Sequence, residues 1–213
     1  HATKLNPTYL WGWTIKAESR RQIAEYKQAL PDIQNALGID ETHAMAWRVK
    51  GNIFENLIQH EKSLSDLDIA LTIEPDHAWA WAFKAEVLRQ IGRYEEALAA
   101  VGKSLKIDNQ FVWGWRVKSE ILDSMGHYTE AFANFVEAVS SSKTEVRLCA
   151  IFSVADIGAA DVVEYLLKTL NDPEAEVRVA SASTLGLVGD RHAISGLVER
   201  LNDESKDVQS AVI

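Results

Sequence analysis

The sequence predicts an all-α protein built as a solenoid of stacked helix pairs. Three observations carry this expectation. Two internal repeats of different length divide the chain, apolar residues inside each repeat recur at helical spacing, and turn residues are scarce. The 213 residues include only four prolines and eleven glycines, which argues against an all-β chain.

The first repeat is written in tryptophan. Trp13, Trp47, Trp81 and Trp115 stand 34 residues apart, and Lys16, Lys50, Lys84 and Lys118 keep the same step. Further columns are Trp11, Met45, Trp79 and Trp113; Tyr26, His60, Tyr94 and Tyr128; Ala29, Ser63, Ala97 and Ala131; and Leu37, Leu71, Leu105 and Val139. Each copy reads as two helices. In the third copy Trp81, Ala85 and Leu88 line one face of a helix over Ala78 to Gln90. Gly92 ends it, as a residue that tolerates positive φ, and Tyr94 to Lys106 forms the second helix. Gly126 repeats the break. Ala97 and Ala131 are small where the two helices approach. Pro31 falls early in a second helix and should distort it or delay its start.

The period changes near residue 145. Val146, Val177 and Val208 are 31 apart, followed by Cys149, Ala180 and Ala211 and by the pairs Gly158/Gly189, Leu166/Leu197 and Leu170/Leu201. Asn171-Asp172 matches Asn202-Asp203. Helices are expected over Glu145 to Ile157, Asp161 to Leu170, Glu174 to Val188 and Arg191 to Leu201. The third unit has only begun at Ile213, and the chain starts with His1, so it reads as a piece of a longer protein.

A 34-residue helix–turn–helix unit with Trp early, Gly and Tyr at the turn and Ala in the second helix resembles the tetratricopeptide repeat. Four copies fall at 10–43, 44–77, 78–111 and 112–145. Only the second has the family's terminal proline, Pro75, and the family usually has Leu where the Lys column stands. The motif Asp172-Pro173, Glu176-Val177-Arg178, Leu185-Gly186, Gly189-Asp190 looks like the short HEAT-like repeat of phycobilisome lyases and many prokaryotic adaptors. The expected domains are residues 1–143, a tetratricopeptide solenoid, and 144–213, HEAT-like repeats. Both resemblances imply a right-handed α-solenoid. Ser140-Ser141-Ser142-Lys143 is too short to be a tether, so Val139 should share a core with Val146 and Ala150.

Composition narrows the function. Net charge is −9, with net −4 before residue 146 and net −5 after it, so no phosphate-binding surface is expected. No apolar run approaches the roughly 18 residues of a membrane span. The single cysteine, Cys149, excludes a disulfide framework and fits a reducing compartment, the cytoplasm. It shares a column with Ala180 and Ala211 and reads as a small core residue rather than a nucleophile. His43 and His77 occupy equivalent places in adjacent copies, and helix packing at roughly 8–10 Å keeps such residues too far apart for a shared zinc. No phosphate loop, nucleophile elbow or paired-histidine metal motif occurs, so no cofactor and no metal are expected.

The tryptophans carry the functional expectation. Trp13, Trp47, Trp81 and Trp115 stand where the tetratricopeptide family packs its two helices, as core. The column two residues earlier is turned by about 200° and faces elsewhere. In the family that position belongs to the concave face. The expected groove is lined by Trp11, Met45, Trp79 and Trp113, with Arg48, Asn52, Glu86, Arg116 and Glu120 one turn or two further on. Thr14, Ala82, Glu18, Arg21, Glu55, Arg89 and Asp123 complete those faces. The Lys column is expected to cover apolar surface with its stems while its ammonium groups reach water or a nearby carboxylate.

The function expected is a non-catalytic scaffold that holds a peptide or partner helix in the groove. Apolar side chains would insert between Trp79 and Trp113, and Arg48 and Arg116 would pair carboxylates. The chaperone-tail clamp of some family members is absent, because Phe83, Trp113 and Val117 stand where Asn, Lys and Arg are required. The alternatives are a bilin-lyase-like enzyme component and a structural spacer, or self-association through the open end.

Overall fold

The computed structural model describes residues 9–154 and 159–213. Among them are thirteen α-helices and no strand. The fold class is therefore the all-α helix-pair solenoid that the repeats predict. The chain divides into two compact units, His1–Ile107 and Asp108–Ile213.

The first unit holds three helix pairs: α1 (Leu10–Gln22) with α2 (Tyr26–Ile39), α3 (Ala44–Asn56) with α4 (His60–Ile73), and α5 (Ala78–Gln90) with α6 (Tyr94–Ile107). Each pair packs on itself, and α2 packs on α3 and α4 on α5. The core is made of small and branched residues at helical spacing. Ala17, Ala29, Ile33, Ala36, Ala46, Val49 and Ile53 are completely buried in one cluster. Ala29, Ser63 and Ala97 each show no exposed surface, as a close helix–helix approach requires. The turns repeat as the helices do: Ala24, Ile58 and Gly92 have φ of 61°, 58° and 77°.

Pro31 does not delay its helix. α2 starts at Tyr26, in register with the starts of α4 and α6, and runs through Pro31 to Ile39. Proline removes one N–H from the helix ladder. Near that gap Arg20 Nη1 donates to the Gln28 carbonyl at 3.0 Å.

The second unit holds α7 (Val112–Met125), α8 (Tyr128–Val139), α9 (Thr144–Phe152), α10 (Ala159–Thr169), α11 (Ala175–Val188), α12 (Ile194–Glu199) and α13 (Lys206–Ala211). Short 3-10 turns, Arg191–Ala193 and Arg200–Asn202, flank α12. α9 ends at Phe152 rather than Ile157, and the expected stretch 155–157 and the Gly158 position lie outside the described residues. Gly126 and Gly189 cap α7 and α11 at φ of 68° and 69°. The fourth 34-residue copy packs directly on the HEAT-like helices, as α8 contacts α9. Val139, Val146 and Ala150 are all buried. Phe132 and Phe135 of α8 meet the Tyr165 ring of α10 edge-on at 5.8 and 6.0 Å.

Two buried arginines brace the HEAT-like turns. Arg147 forks onto Asp172 with two bonds of 2.8 Å and donates to the Ser141 and Ser142 carbonyls at 3.1 and 3.2 Å. Thirty-one residues on, Arg178 forks onto Asp203 at 3.1 and 2.9 Å and donates to the Asp172 and Pro173 carbonyls. Each arginine thus ties the start of one helix to the two turns beside it.

Candidate partner-binding face

The Trp13 column comes first, because it fixes the helices that carry the face. Trp47, Trp81 and Trp115 donate their indole N–H to the carbonyls of Glu41, Pro75 and Asn109, six residues back, at 2.7, 2.7 and 2.8 Å. The ring therefore pins the incoming loop to its helix. The lysine three residues on covers the same ring: Nζ of Lys16, Lys50, Lys84 and Lys118 lies 4.6, 4.5, 5.6 and 5.3 Å from the ring centroid. Trp115 is buried and Trp13, Trp47 and Trp81 are half-buried; Lys103 of α6 also lies over the Trp81 ring, 4.1 Å from its centroid.

Three of the four ammonium groups reach carboxylates. Lys16 pairs with buried Asp32 at 2.6 Å and Lys50 with buried Asp66 at 3.0 Å, each sixteen residues ahead. In the third copy that position is Ala100, and Lys84 turns back to Asp68 of the copy before. In the fourth it is Asn134, whose amide donates to Ser119 at 2.9 Å. Asp66 lies deep enough that burial pushes its carboxyl pKa up, against the pull of Lys50.

In the first unit the column two residues earlier is Trp11, Met45 and Trp79. Trp11 is half-exposed, and its ring meets His43 edge-on at 4.9 Å. Met45 leans on the core beside Ala46 and Val49. Trp79 stacks on Phe83 at 5.0 Å and 15°. The Arg48 guanidinium lies over the Trp79 ring, 4.7 Å from its centroid. Phe83 is itself buried. An Arg–Trp–Phe arrangement thus joins α3 to α5.

Arg48 Nε is shielded from solvent and has no hydrogen-bond partner. Burial is the main influence on Arg48 and lowers its pKa. The Arg21 charge acts the same way, and Glu18 and Glu74 oppose it. Glu18 and Arg21 form a fork of 2.9 and 2.8 Å, and Glu86 and Arg89 repeat it at 3.0 and 2.7 Å. The Arg21 hydrogen bond holds the Glu18 carboxyl below its ordinary range. Asn52, expected in the lining, is 2% exposed, and Thr14 and Ala82 are fully buried. Their short side chains leave them beneath the surface that the long side chains form. The Asn52 Oδ1 has no partner there.

In the second unit Trp113 meets Phe111 edge-on at 6.0 Å. Arg116 is exposed and donates to Glu120 at 2.6 Å. Cys149 is half-buried, and burial raises its thiol pKa, opposite to what a thiolate nucleophile needs. Among the described residues no cluster of three metal-ligating side chains occurs, and no helix is long and apolar enough to cross a membrane.

The stacking of Phe83 on Trp79 and the contact of His43 with Trp11 were not legible in the sequence, although Phe83 was placed at a clamp position. Phe83 follows Trp79 by one helical turn, which was the available signal; His43 precedes its helix, where periodicity gives none.

The fold has relatives. The HEAT repeat family matches residues 132–213, and the tetratricopeptide repeat family matches residues 80–111. No curated protein sequence matches the chain. Among solved structures it is similar to PilW, a widely conserved type IV pilus biogenesis factor, with TM-score 0.61, 19% identity, and coverage of 96% of this chain and 98% of that one. It is similar to YrrB, described as a tetratricopeptide protein with an unusual peptide-binding site, with TM-score 0.59, 17% identity, and coverage of 83% and 93%. It is also similar to the first tetratricopeptide domain of Spaghetti (RPAP3) bound to the HSP90 peptide SRMEEVD, with TM-score 0.53, 12% identity, and coverage of 55% and 93%. The chain is a repeat protein of tetratricopeptide and HEAT-like units.

Proposed function

We propose that the protein is a non-catalytic scaffold that binds a peptide or a partner helix through the first-helix face of its tetratricopeptide units. The observation that carries this reading is Arg48 over Trp79, with a shielded Nε that no protein acceptor meets. A guanidinium so placed is suited to a carboxylate beside an apolar side chain. Trp11, half-exposed, extends the aromatic surface, and Trp113 with Arg116 offers a patch of similar chemistry in the second unit. Two tetratricopeptide neighbours are described with peptide-binding sites or a bound peptide, which favours the same class of ligand here.

The test is an array of immobilised peptides that vary in apolar and acidic content, probed with the wild-type chain and with Trp79→Ala, Trp113→Ala and Arg48→Ala. Peptides that place an Asp or Glu beside Leu or Phe are expected to be retained by wild type. Each variant should lose about tenfold or more in affinity, at unchanged helical circular dichroism. Binding that survives all three substitutions would overturn the reading.

A further inference from the structure

The HEAT-like helices carry an apolar cavity that the scaffold reading does not use. It holds about 460 Å³ and is lined by Leu148 and Phe152 of α9, by Val179 and Glu176 of α11, and by Asp207 of α13. Phe152 is 65% exposed, and Leu148 and Val179 are half-buried beneath the opening. The open aromatic ring is contiguous with two aliphatic side chains, and a contiguous apolar patch of this kind is what marks an interaction surface.

The rim has one sign of charge. Glu145, Glu176 and Asp207 stand 31 residues apart, each exposed and each in the first turn of its helix. A helix start favours a carboxylate, which accounts for the acidic residues alone. It does not account for the open apolar floor beside two of them. None of the three forms an ion pair among the described residues. The arginines of the same helices, Arg147 and Arg178, are turned to Asp172 and Asp203 instead.

We propose that this face docks a basic amphipathic helix of a partner protein, one large apolar side chain entering beside Phe152 and two Lys or Arg residues pairing with Glu176 and Asp207. Neighbouring helices lie about 8–10 Å apart. On a partner helix, a rise of about 1.5 Å per residue puts positions seven apart at a matching span of about 10.5 Å. The recognised pattern is therefore a basic residue, an apolar residue one turn on, and a second basic residue one turn beyond that.

The probe is a short fluorescent Ala/Gln-based helical peptide with a central Phe, and Lys three residues before and four residues after it. A second peptide carries Glu at both Lys positions. Anisotropy with the full chain should show binding of the Lys peptide, weakened by salt, and none of the Glu peptide. Glu176→Lys/Asp207→Lys should reverse that preference, and Phe152→Ala should weaken the Lys peptide about tenfold. Trp79→Ala should leave it unchanged, which separates this face from the tetratricopeptide one. If the double Lys variant loses helicity, Glu176→Gln/Asp207→Asn replaces it and should abolish binding without reversal. Failure of the Lys peptide to bind, equal binding of both peptides, or binding indifferent to the charge variants would overturn the proposal.

Discussion

At the scale of single residues, the four turns at Ala24, Ile58, Gly92 and Gly126 adopt the same left-handed backbone. Only the two glycines announce it. Ala24 and Ile58 take the conformation because the repeat around them dictates it, and the identity of a residue at one position cannot reveal what its 34-residue relatives impose. A side chain in this region costs about 1–2 kcal/mol relative to a right-handed residue. Ile58 is 78% exposed, so its side chain contributes little packing. Ile58→Gly is therefore expected to stabilise the first unit by about 0.5–1 kcal/mol, the relief of strain exceeding the added freedom of the unfolded chain. A urea midpoint that falls instead would show that Ile58 holds the turn. The Lys column shows the opposite case. Its periodicity and its stem over apolar surface were readable, whereas the tryptophan under each stem and the acid sixteen positions ahead came from the packing of the helix pair. The Trp13 column was less readable: periodicity marks a ring as inward-facing but does not say whether a helix or a lysine covers it.

At the scale of elements, the arginine pairs of the HEAT-like part hold turns and helix starts together. The 31-residue step identified Asn171-Asp172 and Asn202-Asp203 as equivalent, while their partners Arg147 and Arg178 came from a spacing of 25 residues that no single helix face links. Arg178→Ala leaves Asp203 buried without its fork and should cost the second unit about 3 kcal/mol, read by thermal or urea unfolding. The pH dependence follows from the same bond. Arg178 first, and then the Ser205 amide, hold the Asp203 carboxyl below its ordinary range. The unfolded state then binds the proton first as pH falls, so this stabilisation is present above the ordinary Asp range and is lost as pH drops through the folded value. Wild type should lose more stability than Arg178→Ala between neutral pH and about pH 3; parallel curves would remove Asp203 from the acid response.

At the scale of the whole molecule, sequence periodicity and compactness mark different boundaries. The 34-residue period runs to about residue 145, yet α7 and α8 share a unit with the HEAT-like helices, and the HEAT family match itself begins inside α8 at residue 132. Repeat length records which residues resemble one another, while burial records which ones touch. Phe132 and Phe135 continue the apolar columns of Leu30, Leu64 and Leu98 and of Ile33, Leu67 and Val101, but their partner Tyr165 has Gly196 as its 31-residue equivalent, so periodicity did not foretell the contacts across α8 and α10. A fragment of residues 108–213 is expected to stay helical and to melt in one transition that includes Trp113 and Trp115 fluorescence; two separated transitions would place the fourth copy outside that core. The copies themselves are not interchangeable. With Ala100 in place of an acid, the third copy depends on Asp68 of its predecessor to neutralise Lys84. Moving it behind a copy that lacks that acid would leave the ammonium to water and loosen the junction, so the order of units is written into the chain as syntax, and duplication or shuffling would keep this junction intact only where the borrowed carboxylate is carried with it.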